Sequence, residues 1–185
     1  MIIGKIEKLK DWNIRNKISS IIPSLHSSRL FIYFFLLILF ASCDKARVYE
    51  KNIKIPKFEW DMNNVLKFEV PITDTVASYN MYFNIRNASG YSFSNLFLFF
   101  TVRSPDGRRE RDTVEIRLAD ETGKWIGNGL GDIWDNKILF KENFRFPVSG
   151  TYFFEMEQAM RVNPLSYIMD AGIRIEYAEK TQPKG

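Results

Sequence analysis

The side chains that could do chemistry are few and unevenly placed. The chain has one His, His26, and one Cys, Cys43, so nothing after Cys43 supplies an imidazole or a thiol. Beyond that point Cys/His-ligated zinc, Ser-His-Asp hydrolysis and Cys-His catalysis are excluded, as is an intramolecular disulfide. Glu155 and Glu157 lie two apart, which puts both on one face of a strand, with Glu142 and Glu176 as further carboxylates. Paired carboxylates can run acid/base chemistry on glycosides. The plainer reading is a wet sheet face balanced by Arg174, Arg145 or Arg117 as cross-strand partners. Asp120, Glu121, Asp132 and Asp135 could offer oxygen ligands to Ca²⁺, but they lack EF-hand spacing and read as solvated turn residues. No catalytic residue, metal or cofactor is expected.

Two segments stand out as candidate interaction sites. In Gly123–Asp135 four glycines fall within nine positions, flanked by Trp125 and Trp134. One reading is an exposed loop that offers either Trp as an aromatic platform for a sugar ring or a partner side chain. The other is a loop crossing between sheets with both Trp residues in the core. The spacing does not match a glycine-rich nucleotide fingerprint. In Gln158–Leu165, Met160 offers a soft contact and Arg161 a bidentate donor, or else Arg161 pairs internally with Asp170.

The charge distribution separates the front of the chain from the rest. Residues 1–42 carry six Lys/Arg against Glu7 and Asp11, leaving 20 basic and 20 acidic side chains in 43–185. The basic pI thus belongs to the front segment, and no nucleic-acid partner is implied. From Leu30 to Phe40 the chain is wholly apolar, with Arg29 directly before it. That run is too short for a membrane-spanning helix and suits the apolar region of a secretory signal. Phe40-Ala41-Ser42-Cys43 reads as a lipobox, resembling the signal of a bacterial lipoprotein in which the Cys is acylated and becomes the first residue. The alternatives are a short core helix and an uncleaved anchor. The 29 residues before the run are long for an n-region, which points to a translation start nearer Leu25. The expected organisation is a signal over 1–42 (n-region 1–29, apolar run 30–40), a lipidated tether and first strand over 43–56, and one domain over 57–185. Acyl chains on Cys43, palmitate among them, would hold that domain to membrane lipid.

The positioning elements repeat with period two. Tyr79, Met81, Phe83 and Ile85 alternate with Asn80, Tyr82, Asn84 and Arg86, the pattern of a half-buried strand. Val114, Ile116 and Leu118 alternate in the same way, as do Tyr152, Phe154 and Met156, and then Ala171, Ile173, Ile175 and Tyr177. Leu96–Val102 is apolar on both faces, so a central strand with a covered outer side is expected. Ser104-Pro105-Asp106-Gly107 is a hairpin turn, and Ala119–Gly123 and Pro147–Gly150 are further connections. About eight strands follow, in an all-β antiparallel β-sandwich of Ig-like or jelly-roll-like type. Pro164 limits the Gln158–Met169 segment to a loop or a short helical turn.

Several of these stretches also carry a family likeness. After the lipobox come Leu96-Phe97-Leu98-Phe99, Leu118-Ala119-Asp120 with Gly123-Lys124-Trp125, and Gly131-Asp132-Ile133. Then follow Arg145-Phe146-Pro147, Gly150-Thr151-Tyr152, Phe154-Glu155 and Glu157-Gln158-Ala159-Met160-Arg161 with Pro164. In this order they resemble the GldH family of gliding motility lipoproteins of the Bacteroidetes, over nearly the whole chain from the lipobox to about Ile175. No motif of that family is catalytic, and only the acylated Cys43 transfers as a functional residue. The resemblance implies a cell-envelope lipoprotein working with other envelope proteins of the gliding apparatus and the linked type IX secretion machinery. Asp44-Lys45-Ala46-Arg47 is not the acidic cluster associated with surface display, so an outer-membrane anchor facing the periplasm is expected. A glycan-binding envelope lipoprotein is the alternative, motivated by 22 aromatic residues among the 143 from Cys43 on. Peptide mapping should find acylated Cys43 at the N-terminus of the processed protein, and the intact precursor when signal peptidase II is blocked. An unmodified thiol would overturn the anchor.

Overall fold

The computed structural model describes residue 44 and residues 46–178; Cys43 and the signal before it lie outside the described residues. The alternating runs become eleven strands, three more than the about eight expected, because short bridging strands are invisible to periodicity. They are β1 (Arg47–Lys54), β2 (Glu59–Trp60), β3 (Leu66–Ile72), β4 (Tyr79–Ala88), β5 (Asn95–Arg103) and β6 (Arg109–Arg117), followed by β7 (Asn128–Leu130), β8 (Ile133–Phe144), β9 (Gly150–Gln158), β10 (Leu165–Ser166) and β11 (Ile168–Tyr177). One 3-10 turn, Pro56–Phe58, interrupts them. All pairings are antiparallel.

Two sheets form the sandwich. One has the order β1-β11-β4-β8-β7, the other β3-β9-β5-β6, and β10-β2 makes a small third pair. β1 lies within the segment 43–56 expected as a tether and first strand; it is the outer strand of the larger sheet, paired with β11 from Arg47↔Glu176 to Lys54↔Asp170. The segment 159–164 is a loop with no helical turn. Tyr177, expected inward, is 44% exposed at the strand end.

The inward faces meet in an aromatic layer. Phe83 of β4 meets Phe100 of β5 edge-on at 5.0 Å and stacks on Phe140 of β8 at 3.9 Å. Phe100 in turn stacks on Phe154 of β9 at 5.7 Å. Edge-to-face and offset pairs of this kind satisfy the ring quadrupoles, and each fully buried ring contributes about 1.5–3 kcal/mol. The outer side of β5 is covered as expected, though by single side chains: Arg111 lies 4.6 Å from the Phe99 ring centroid, and Met160 sits against Phe97.

The outer face of the larger sheet is polar and cross-linked. Arg174 holds Glu176 and reaches Glu50 at 2.6 Å, while Lys137 binds Glu176 at 2.7 Å and covers the Tyr82 ring. Burial pushes the Glu176 carboxyl up, but the hydrogen bonds from Lys137 and Arg174 outweigh it, and the net shift is below the usual Glu value. A carboxylate held low in the folded state stabilises above its unfolded pKa and loses that contribution as pH falls. Glu176→Gln should therefore destabilise by about 1.5 kcal/mol at neutral pH. In urea unfolding the gap to the parent protein should close as pH drops below about 4.3. A gap that does not change with pH would refute the assignment.

Candidate interaction surface

The glycine-rich segment is an edge hairpin, neither a free loop nor a crossing between the sheets. Asp120 starts it by accepting from the Thr122 hydroxyl, the Lys124 N–H and the Thr122 N–H, and this holds its carboxyl below the usual range. A bridge from Ala119 to Trp125 closes that turn, and β7 then folds back on β8 from Asn128↔Asp135 to Leu130↔Ile133. Gly131 takes φ +62 in the tight connection, a backbone open to Gly at no steric cost. Gly129 lies under the Trp134 ring, where a Cβ would come within 2.5 Å of it.

The structure brings Trp125 and Trp134 together. Their centroids are 6.5 Å apart at 34°, and Tyr91 continues the cluster at 6.3 Å from Trp125. Both are half-buried, and the Trp134 indole donates to Ser89 Oγ at 3.0 Å. What the hairpin leaves in solvent is aliphatic: Ile126 is 53% exposed and Leu130 84%.

The Gln158–Leu165 segment is organised by its first residue. Gln158 is buried; its Nε2 donates to the Val162 carbonyl at 3.2 Å, and its Oε1 accepts from the Met160 N–H at 2.9 Å. The loop is clipped to β5 by Ala159 N–H to the Phe97 carbonyl and by Phe97 N–H to Met160 Sδ. Met160 is thus half-buried against the sheet, and Arg161 is left exposed. The expected Arg161–Asp170 pair is not made: Asp170 takes Arg86 at 3.3 Å instead, across neighbouring strands.

The strand registers place all of these residues at one end of the sandwich. β7, the start of β8, the end of β9 and the start of β11 lie there, together with β2 and β10. Between the two segments runs 88–91: Ala88 N–H bonds the Tyr167 carbonyl, the Tyr167 ring covers Gly90, and Ser89 holds Trp134. Among the described residues, six of the nine exposed large hydrophobics sit at this end, namely Phe58, Met62, Ile126, Leu130, Val162 and Tyr167. Sequence reasoning singled out the Trp pair and Met160 and missed these six. The one available signal was Leu130, set between two glycines where no core residue belongs. The opposite end carries the start of β1, from which the chain leads back to Cys43 four residues earlier.

The carboxylates have ordinary partners. Glu155 pairs with Arg109 at 3.5 Å and Lys67 at 3.9 Å, and Glu157 with Arg111 at 3.3 Å. Lys67 is a cross-strand neighbour on β3, whereas Arg109 and Arg111 reach across β5 from β6; neither is an arginine expected from sequence. Among the described residues no group of His, Cys, Asp and Glu is placed to hold a metal ion. Gly129→Val should push the Trp134 ring off the hairpin, shift the Trp emission and cost about 1–3 kcal/mol in urea unfolding. An unchanged emission and midpoint would mean that the close approach does not matter.

The family model described as GldH lipoprotein matches residues 47–175. The chain is 39% identical over 157 residues to the "Gliding motility lipoprotein GldH homolog" of Christiangramia forsetii, covering 81% of this chain and 96% of that protein. It is 36% identical over 146 residues to the "Gliding motility lipoprotein GldH" of Flavobacterium johnsoniae, covering 75% and 90%. Among solved structures, a family GH115 4-O-methyl-α-glucuronidase is similar over 75% of this chain and 18% of its own, at 11% identity and TM-score 0.43, a level that carries no argument about function. With most of the sandwich matched to the family model and two relatives aligned over nearly their full lengths, the chain belongs to the GldH lipoprotein family.

Proposed function

We propose that this is a non-catalytic lipoprotein of the gliding motility apparatus, held in the outer membrane through acylated Cys43 and facing the periplasm. There it acts as an adaptor that docks other envelope proteins of the motility and type IX secretion machinery. The observation that carries the reading is the clustering of exposed apolar side chains at the end of the sandwich opposite the start of β1. Exposed hydrophobic groups gathered in one region mark protein contacts. An anchor at the opposite end turns that region away from the bilayer and raises its effective concentration for partners in the same plane. The Trp125–Trp134 pair, tilted and half covered, suits a protein contact better than flat stacking on a sugar ring.

Ile126→Asp combined with Leu130→Asp tests this, because both side chains lie in solvent and their replacement should change stability by no more than about 0.5 kcal/mol. Expressed in a gliding bacterium whose own family member is deleted, the parent chain should restore colony spreading, and the double variant should not. The variant should still be acylated, and crosslinking should recover fewer envelope proteins with it. Normal spreading with an unchanged crosslinking pattern would dispose of this surface.

A further inference from the structure

The geometry points to a second site: the cleft between the two sheets takes one acyl chain of a phospholipid from the membrane in which the protein is anchored. The cleft encloses about 420 Å³, within the range of sites that hold small ligands. Residues of β6, the last strand of the smaller sheet, and of β8 in the larger one line it from the two sides. Its floor is the aromatic layer itself, with Phe100, Phe140, Phe146 and Phe154 joined by Phe144 and Val114. The inward positions of β6 that would close the cleft are Glu110 and Asp112, both exposed.

Three features select the occupant. The cleft reaches the end of the sandwich that carries the start of β1: Phe146 meets Tyr79 at 5.3 Å, Tyr79 stacks on Tyr177, and the Tyr177 N–H bonds the Ala46 carbonyl. Ala46 lies three residues from Cys43, a reach of about 10 Å at most, so an acylated Cys43 keeps this end near lipid. The cleft also carries three cations, Arg108, Lys141 and Arg145, against the two carboxylates of β6. Lys141 makes no ion pair among the described residues, and Arg145 is held only through its Nε to Ser78 Oγ, so both can meet a headgroup phosphate. Finally, the free edge of β6 bears Arg109, Glu110, Arg111 and Asp112, the charge pattern that blocks addition of a further strand. An acyl chain needs no backbone pairing; an extended peptide from a partner would.

This inference rests on the anchor at Cys43 and not on the role in motility. Mass spectrometry of the purified full-length lipoprotein therefore establishes the acylation first, which separates a missing anchor from an empty cleft. The protein is then placed in phosphatidylethanolamine vesicles containing phosphatidylglycerol with a diazirine at the end of one acyl chain. After illumination, label should map to peptides from β5, β6 and 140–154. Val114→Trp, which fills the cleft, should lower that labelling about tenfold, as a loss of about 1.4 kcal/mol in affinity would. Lys141→Glu with Arg145→Glu, both at the surface, should lower it in a salt-dependent way and serves where the Trp variant fails to fold. Label found only outside the cleft, or equal labelling in a folded Val114→Trp variant or in the charge-reversed pair, would overturn the site.

Discussion

The structure depends on one aromatic contact between its sheets. Phe83 on β4 and Phe100 on β5 belong to consecutive strands that lie in different sheets, and their edge-on meeting at 5.0 Å joins the two layers. Phe140 and Phe154 extend that contact sideways, so each sheet contributes rings from two strands. The same layer has two consequences. In the interior it makes the buried core; between β6 and β8 it becomes the floor of a cleft. Burial and site are thus parts of one surface, distinguished only by whether an opposing strand supplies an apolar cover.

The two ends of the sandwich are built differently. At the end leading to Cys43, Tyr79 stacks on Tyr177, while Phe146 and Tyr152 meet each other along the lining of the cleft. At the other end the loops are held by local polar chemistry. Asp120 closes a turn on three donors, Gln158 holds a loop through its amide, and Asn163 ties Asp61 and Met62 to that loop. Loops held by side-chain hydrogen bonds can leave aliphatic side chains in water without losing their shape. That is how Leu130 and Val162 stay exposed on ordered backbone. The motif Gln158–Arg161 then has a physical meaning: the amide shapes the loop, the Met sulfur fastens it to β5, and the guanidinium is what remains outside.

The sequence by itself determined what local patterning and covalent chemistry can determine. Alternation over Tyr79–Arg86 and Gly150–Gln158 specified strands and their buried faces, because a side-chain period of two allows only one face to be apolar. Pro105 and Gly107 specified a hairpin; the lipoprotein signal expected before Cys43 lies outside the described residues. Three things needed the tertiary structure. Which arginine meets which carboxylate followed from strand order, so Glu155 found Arg109 and Asp170 found Arg86. The glycine-rich segment became a hairpin because the Trp134 ring needed the space above Gly129, a contact between strands rather than along one. The exposed apolar end and the aromatic cleft draw on residues scattered from Phe58 to Tyr167, and no window of sequence contains them. They exist only because the chain crosses the sandwich repeatedly and returns distant turns to the same end.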